Sequence, residues 1–251
     1  RIIQDFPSLD SLSEFYRQCI NELLDYQEIK ESLGAVAWAE KQIQAFNQDF
    51  QRKIKRGSEP QNDIGAFIGR TSSVIKQIKK NLASLEDARS TFRKWPSIKE
   101  LPTAALVGFP NVGKSTLLAK FTDASPKVAN YAFTTLGVNV GYMKAGHKKL
   151  QILDTPGTLN RYDVMNKIEK LAYLAQRYVA DLIVFVVDPT DELPKQKTLL
   201  EATKRHRKPI ILYMSKTDVA QEEDRIQAHA MFPEALTDPE ACAACIIQNL
   251  Q

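Results

Sequence analysis

Polar and apolar residues follow two different rhythms along this chain. Over the first hundred residues the apolar positions recur every three or four residues, the period of helices with one buried face. Leu12 to Leu24 makes a short helix. Ile29, Leu33, Val36, Ile43, Phe46, Phe50 and Ile54 mark a long second helix, with Asp25 and Glu28 spaced as a capping box at its start. Ile64, Phe67, Ile68, Thr71, Ile75, Ile78, Leu82, Leu85 and Phe92 predict a third, continuous one. Gly57-Ser58-Glu59-Pro60 is a turn between the two long helices. Such short links predict an all-α antiparallel bundle. Trp95-Pro96 and Leu101-Pro102 close it, because the residue before a proline disfavours helix.

From Thr103 the rhythm changes. AALVG, VNVGYM, LQILD, LIVFVVD and PIILYM are short apolar runs typical of buried strands. Between them lie helical stretches such as STLLAKF, KIEKLAYLAQRY and KQKTLLEATKR. This alternation predicts an α/β domain with a doubly wound, mostly parallel sheet, whose ligands bind at the carboxyl ends of the strands. The expected division is a helical bundle over residues 1–100 and a nucleotide-binding domain over 101–251.

Composition narrows this little. The chain is 43% hydrophobic and 25% charged, as soluble globular proteins are. No apolar run approaches the ~18 residues of a membrane span, so no membrane role is expected. Three cysteines, Cys19, Cys242 and Cys245, point to a reducing compartment and a cytoplasmic protein. Cys242 and Cys245 form C-x-x-C, but with no second pair the reading is helix packing. Charge is more informative. The net +4 hides an acidic first fifty residues, a basic next fifty and a nearly balanced remainder. Arg52, Lys53, Lys55, Arg56, Lys76, Lys79 and Lys80 form a candidate polyanion surface on the helices, although such charge is often only a solvated face.

The chemistry begins at Gly108-Phe-Pro-Asn-Val-Gly113-Lys114-Ser115, which fits G-x-x-x-x-G-K-[ST] between a strand and a helix. Its glycines let backbone N–H groups turn inward around phosphates. Lys114 can reach the β- and γ-phosphates, and the Ser115 hydroxyl can ligate Mg²⁺. Asp154-Thr-Pro-Gly157 ends the third strand, where the carboxylate would hold the Mg²⁺ shell through water and the Gly157 N–H would meet the γ-phosphate. Between the two lies Tyr131-Ala-Phe133-Thr134-Thr135, a loop whose threonine, Thr135 by preference, can ligate Mg²⁺ only while the γ-phosphate is present. Pro110, Val112 and Thr116 complete the phosphate loop, and Phe133 flanks the switch threonines.

The fifth strand ends in Met214-Ser215-Lys216-Thr217-Asp218. Asp218 can accept two hydrogen bonds from guanine, whereas adenine offers a lone pair at N1 and no amino group at C2. Lys216 would lay its stem along the base. Ser215 stands where asparagine usually ties this loop to the phosphate loop, and its hydroxyl can make part of that link. Ala235 and Leu236, in Glu234-Ala-Leu-Thr237, are the nearest approach to a final base-contacting loop, with no good strand before them. Thr237 or Asp238 could cap a last helix that begins at Pro239.

With GFPNVGKS, YAFTT and DTPG in this order, the chain resembles the Obg branch of the translation-factor-related GTPases. DFPSLDSLSEFYRQCINELLDYQEIKESLGAV, WPSI and MNKIEKLAYLA are similar to the nucleolar GTP-binding protein (Nog-type) subgroup. The resemblance implies a P-loop GTPase that hydrolyses GTP to GDP with Mg²⁺, acts in large ribosomal subunit assembly, and contacts ribosomal RNA and the subunit precursor through its helical region. It also implies a ribosome-associated protein, monomeric off the ribosome. The long C-terminal extensions of eukaryotic members have no counterpart in these 251 residues, which suits an archaeal homologue. Thr158 follows DTPG where Ras-like enzymes carry glutamine, so turnover should be slow until a partner stimulates it. Asn111 is a candidate K⁺ ligand, since in some related GTPases that position holds the ion in place of an arginine finger. Three other readings stay open: a GTP-stabilised scaffold with negligible hydrolysis, a protein-targeting GTPase, and an ATPase. The short segment between YAFTT and DTPG argues against the second, and Asp218 against the third.

Overall fold

The computed structural model describes residues 11–122, 138–156 and 165–250. The chain divides into two compact units at Arg93 and Lys94.

The first unit is helical: α1 spans Glu14–Leu23, α2 Tyr26–Lys55, α3 Pro60–Gln77 and α4 Lys79–Phe92. Half of the expected capping box is present at the start of α2, where Asp25 accepts the Glu28 N–H at 2.9 Å. Gly57 turns the chain at φ +92, and Pro60 opens α3. Contacts between α2 and the returning helices run in opposite directions: Lys53 pairs with Asp63, Phe50 stacks near Phe67, and Ser32 meets Asn81. The hairpin is therefore antiparallel.

The third helix departs from the expected continuous one. Ile78, at φ −90 and ψ 8, interrupts it for a single residue and divides α3 from α4. The apolar stripe also splits. Val74, Ile78, Leu85 and Ala88 turn inward, while Ile64, Ile68 and Ile75 lie 47–57% exposed. A helix carrying apolar residues at both three- and four-residue offsets has more than one apolar face, and only packing against α2 chooses between them.

The second unit carries a five-stranded sheet in the order β2-β3-β1-β4-β5. Its strands are β1 Thr103–Val107, β2 Asn139–Ala145, β3 Lys148–Asp154, β4 Leu182–Val187 and β5 Ile210–Met214. Among the described residues, only the β2–β3 pair is antiparallel. Buried on both faces, β1 and β4 are continuous apolar runs, as inner parallel strands must be. Helices α5 (Lys114–Phe121) and α9 (Pro239–Leu250) share one core with the sheet through Leu117, Leu118, Phe121, Cys242 and Ile246. The other helices among the described residues of this unit are α6 (Lys167–Tyr178), α7 (Leu193–Lys204) and α8 (Glu222–Met231). Cys242 is fully buried in this core as a free thiol, which pushes its pKa up to about 12.

Beside β5 the chain forms a one-residue bridge in place of a further strand. Leu236 bridges β5 in parallel, donating its N–H to Leu212 O at 2.9 Å and accepting from Met214 N at 2.7 Å. Asp238 then caps α9 with contacts to the N–H groups of Glu240 and Ala241.

Candidate functional site

The phosphate loop is built where β1 ends. Gly108 takes φ +153, and a Cβ there would lie 2.5 Å from the Val186 carbonyl oxygen, so the close approach of the loop to β4 requires glycine. Asn111 and Gly113 are both left-handed, at φ +62 and +91. The chain then enters α5, whose first N–H groups, from Lys114, Ser115 and Thr116, have no carbonyl partner within the helix. Donors at a helix N-terminus suit an anion. Val112 points the other way and is fully buried in the core. Pro110 is exposed beside it.

Lys114 is 7% exposed and donates to the carbonyls of Gly108 at 3.1 Å and Phe109 at 2.6 Å. Burial holds its pKa below the ordinary lysine value, and the nearby Asp154 carboxylate opposes that shift. Asp154, the last residue of β3, accepts from the Ser115 hydroxyl at 2.6 Å and from Asn139 Nδ2 at 3.2 Å on the same oxygen. A hydroxyl beside a carboxylate is the oxygen-only donor set that a hard divalent cation takes. Among the described residues no three carboxylate, histidine or cysteine groups gather. A cation here would complete its shell with water and ligand phosphates, as Mg²⁺ does.

Thr155, next to Asp154, donates to Leu106 O at 2.7 Å and accepts from Gln176 of α6 at 3.1 Å. The helix after the DTPG loop is thereby tied to both β1 and β3. Phe133, Thr134, Thr135 and Gly157 lie outside the described residues.

The base-reading loop is joined to the phosphate loop by Ser215. Its Oγ lies 2.6 Å from Val112 O and 3.0 Å from Val187 O, so its single proton serves one of the two at a time. The hydroxyl thus reaches the phosphate loop, the place that the usual asparagine's link would fill. Lys216 follows in a left-handed conformation, φ +52. Asp218 is exposed, and its carboxylate accepts no hydrogen bond from the other described residues.

Sequence reasoning missed the residue that holds Lys216. Asp188, at the end of β4, is 2% exposed and accepts from Lys216 Nζ at 2.5 Å. Its other oxygen accepts the N–H and hydroxyl of Thr190, at 2.9 and 2.7 Å. Burial pushes the Asp188 pKa up, but the hydrogen bonds from Lys216 and Thr190 outweigh it and leave the carboxyl below its ordinary range. Gln196 of α7 fixes the Asp188 backbone by accepting its N–H at 2.9 Å and donating to its carbonyl at 2.8 Å. The sequence offered only that LIVFVVD ends in a carboxylate at the ligand-binding edge of the sheet, which does not single out Lys216 as its partner.

Ala235 and Leu236 are differently placed from the rest. Ala235 donates its N–H to Phe232 O at 3.1 Å, and Leu236 spends its own on β5 and packs its side chain on the core. Both groups are committed within the fold. On the helical unit, Lys53 is engaged by Asp63 at 3.0 Å, while Arg52, Lys55, Arg56, Lys76, Lys79 and Lys80 are exposed.

Two family models tile most of the chain. Residues 1–99 match the NOG1 N-terminal helical domain, and residues 103–216 match the 50S ribosome-binding GTPase. An uncharacterized protein of Methanocaldococcus jannaschii is 36% identical over 233 residues, covering 89% of this chain and 65% of that protein. Nucleolar GTP-binding protein 1 of Drosophila melanogaster is 33% identical over 235 residues, covering 89% of this chain and 36% of that protein. The chain thus spans about two thirds of the first relative's length and about a third of the second's. Among solved structures, the G domain of Thermotoga maritima FeoB has a TM-score of 0.48 at 24% identity, covering 61% of this chain and all of that one. Aquifex aeolicus Era bound to GDP·AlF4⁻ has a TM-score of 0.46 at 23% identity, with 61% and 58% covered.

Proposed function

We propose, from the premise that this chain belongs to the Nog-type family of GTP-binding proteins, that it binds GTP and Mg²⁺ and hydrolyses the nucleotide as a switch in large ribosomal subunit assembly. One observation carries this reading. The groups suited to phosphate, cation and base stand together at the carboxyl ends of β1, β3, β4 and β5, joined by the Ser115–Asp154 and Ser215–Val112 hydrogen bonds.

Lys114 and the first N–H groups of α5 would hold the β- and γ-phosphates. Ser115 would ligate Mg²⁺, with Asp154 acting through water and Thr135 closing the shell while triphosphate is bound. Lys216, oriented by Asp188, would lie along the guanine, and Asp218 would accept from its edge. Asn111 would ligate K⁺ beside the phosphates. The bundle would meet ribosomal RNA through its exposed basic residues, of which Lys53 is the least suited. No helix among the described residues is long and apolar enough to cross a membrane.

The deciding test is competition followed by single turnover. GDP should displace a fluorescent guanine nucleotide at concentrations at least 100-fold below ADP, and equal potency would sink the guanine reading. Hydrolysis should be slow alone, faster in KCl than in NaCl, and faster again with large ribosomal subunits. A chain that binds GTP but shows no turnover under any of these conditions is a scaffold.

Asp188→Asn offers a finer check. It keeps the shape but removes the charge facing Lys216, a charge-assisted contact worth on the order of 1.5–3 kcal/mol. GDP release, followed by stopped flow, should quicken about tenfold with little change in the association rate. Unchanged release would mean that Lys216 needs no help from Asp188.

A further inference from the structure

At the end of the sheet away from the phosphate loop, β2 and β3 are joined by the two-residue turn Gly146-His147. The register places Lys144 directly opposite Lys149. Like charges facing each other across a strand pair oppose its formation. On the same face, Tyr142 lies beside Lys144, and its ring has Lys149 Nζ at 4.3 Å and Lys99 Nζ at 5.2 Å from its centroid. Two exposed ammonium groups thus flank one aromatic ring, and a third exposed lysine, Lys144, faces one of them across the strand pair. Among the described residues none of the three has a carboxylate within ion-pairing distance. The stretch from Asn139 to Leu153 contains no acidic residue at all. β2 is also the outer strand of the sheet, so its outer edge is not paired with another strand among the described residues.

We propose that Lys99 and Lys149, at the Tyr142 ring, and Lys144, opposite Lys149, form a second RNA-backbone contact, located on the nucleotide-binding unit and made of other residues than the bundle's basic ones. The cost of holding Lys144 against Lys149 is removed when a polyanion neutralises both. RNA is favoured over other polyanions because phosphate neutralisation needs only positioned cations. An acidic peptide would need an apolar anchor site beside the lysines, and a membrane would need large apolar residues at the turn, where Ala145, Gly146 and His147 stand instead. Asp154 lies five residue steps along β3 from Lys149, about 16 Å at ~3.3 Å per residue, so RNA and nucleotide can bind together. The inference shares with the proposed function only the choice of RNA as partner, and does not depend on GTP.

The test uses the full chain and a fluorescein-labelled 20-nucleotide poly(U) RNA, with anisotropy followed from 50 to 300 mM KCl. Replacing Lys99, Lys144 and Lys149 by Gln should weaken binding at least tenfold at low salt and flatten the slope of log affinity against log salt by about 2, since each neutralised phosphate contributes roughly 0.7 for a single strand. The melting temperature should hold or rise, because a like-charge pair is gone, and GDP affinity should not change. Unchanged RNA affinity and slope in this folded variant overturn the proposal. So does displacement of the RNA by polyglutamate at equal charge concentration, which would make the patch a surface for acidic protein. A parallel variant with Lys76, Lys79 and Lys80 replaced by Gln separates the two contacts. If it alone loses RNA, the hairpin site fails and the bundle contact stands; if wild type binds no RNA, the RNA partner of the proposed function fails as well.

Discussion

Asp218→Asn should exchange guanine for xanthine. GDP affinity is expected to fall by on the order of 10³-fold, while xanthosine diphosphate, scarcely bound by wild type, should bind in its place. The carboxylate is exposed at the rim of the base loop and accepts nothing from the other described residues, so both of its oxygens can turn to a ligand. Guanine presents two donors to it. An asparagine amide would oppose one of them with its own N–H groups, whereas xanthine has an oxygen at C2 that such a donor can meet. Because the position is exposed, the melting temperature of the free protein should not move. Titration calorimetry with both nucleotides reads the result, and retention of GDP affinity would show that Asp218 does not read the base.

Lys114→Ala should remove triphosphate binding, by at least 100-fold, without harming the fold. Wild type holds this ammonium 7% exposed against two neutral carbonyls, a costly arrangement for a charge. Taking it away removes the buried charge along with its contacts to those carbonyls. The free variant should therefore melt at or above the wild-type temperature. Added GTP at 100 times the wild-type Kd should stabilise wild type by about 2.7 kcal/mol and leave the variant almost unmoved. The pH dependence gives an independent mark. A lysine with a folded pKa below its unfolded value costs stability while both states are charged, and that cost begins to fall as pH rises past the folded value and is gone above the unfolded one. Wild type should gain stability relative to Lys114→Ala on the alkaline side. A variant that binds GTP normally would remove Lys114 from the phosphate site.

The phosphate loop was legible because its constraints are local. Gly113, at φ +91, must turn the chain into a helix, so residue type and spacing carry the geometry; only the Val186 carbonyl that Gly108 must avoid comes from far along the chain. The role of Ser215 was half legible: its short hydroxyl suggested a partial link, and Val112 O supplied the acceptor. Asp188 was not legible as a partner of Lys216, because twenty-eight residues separate them and nothing local in LIVFVVD tells a strand-ending carboxylate from one that orients a base loop. The helical region shows the same limit. Its period predicted helices correctly, but could not say which face of α3 turns inward or that Ile78 breaks the run.

By itself, then, the sequence determined the two rhythms, the strand-loop-helix of the phosphate site and the order of the nucleotide motifs. Each depends on neighbours a few residues apart, which periodicity and glycine placement encode. Only the tertiary structure decided what meets across distance. It set Lys216 on Asp188, Gln176 on Thr155 and Leu236 on β5, and it brought Lys99 and Lys149 to one tyrosine ring. Those pairings follow from strand order and register, which no local pattern in the chain records.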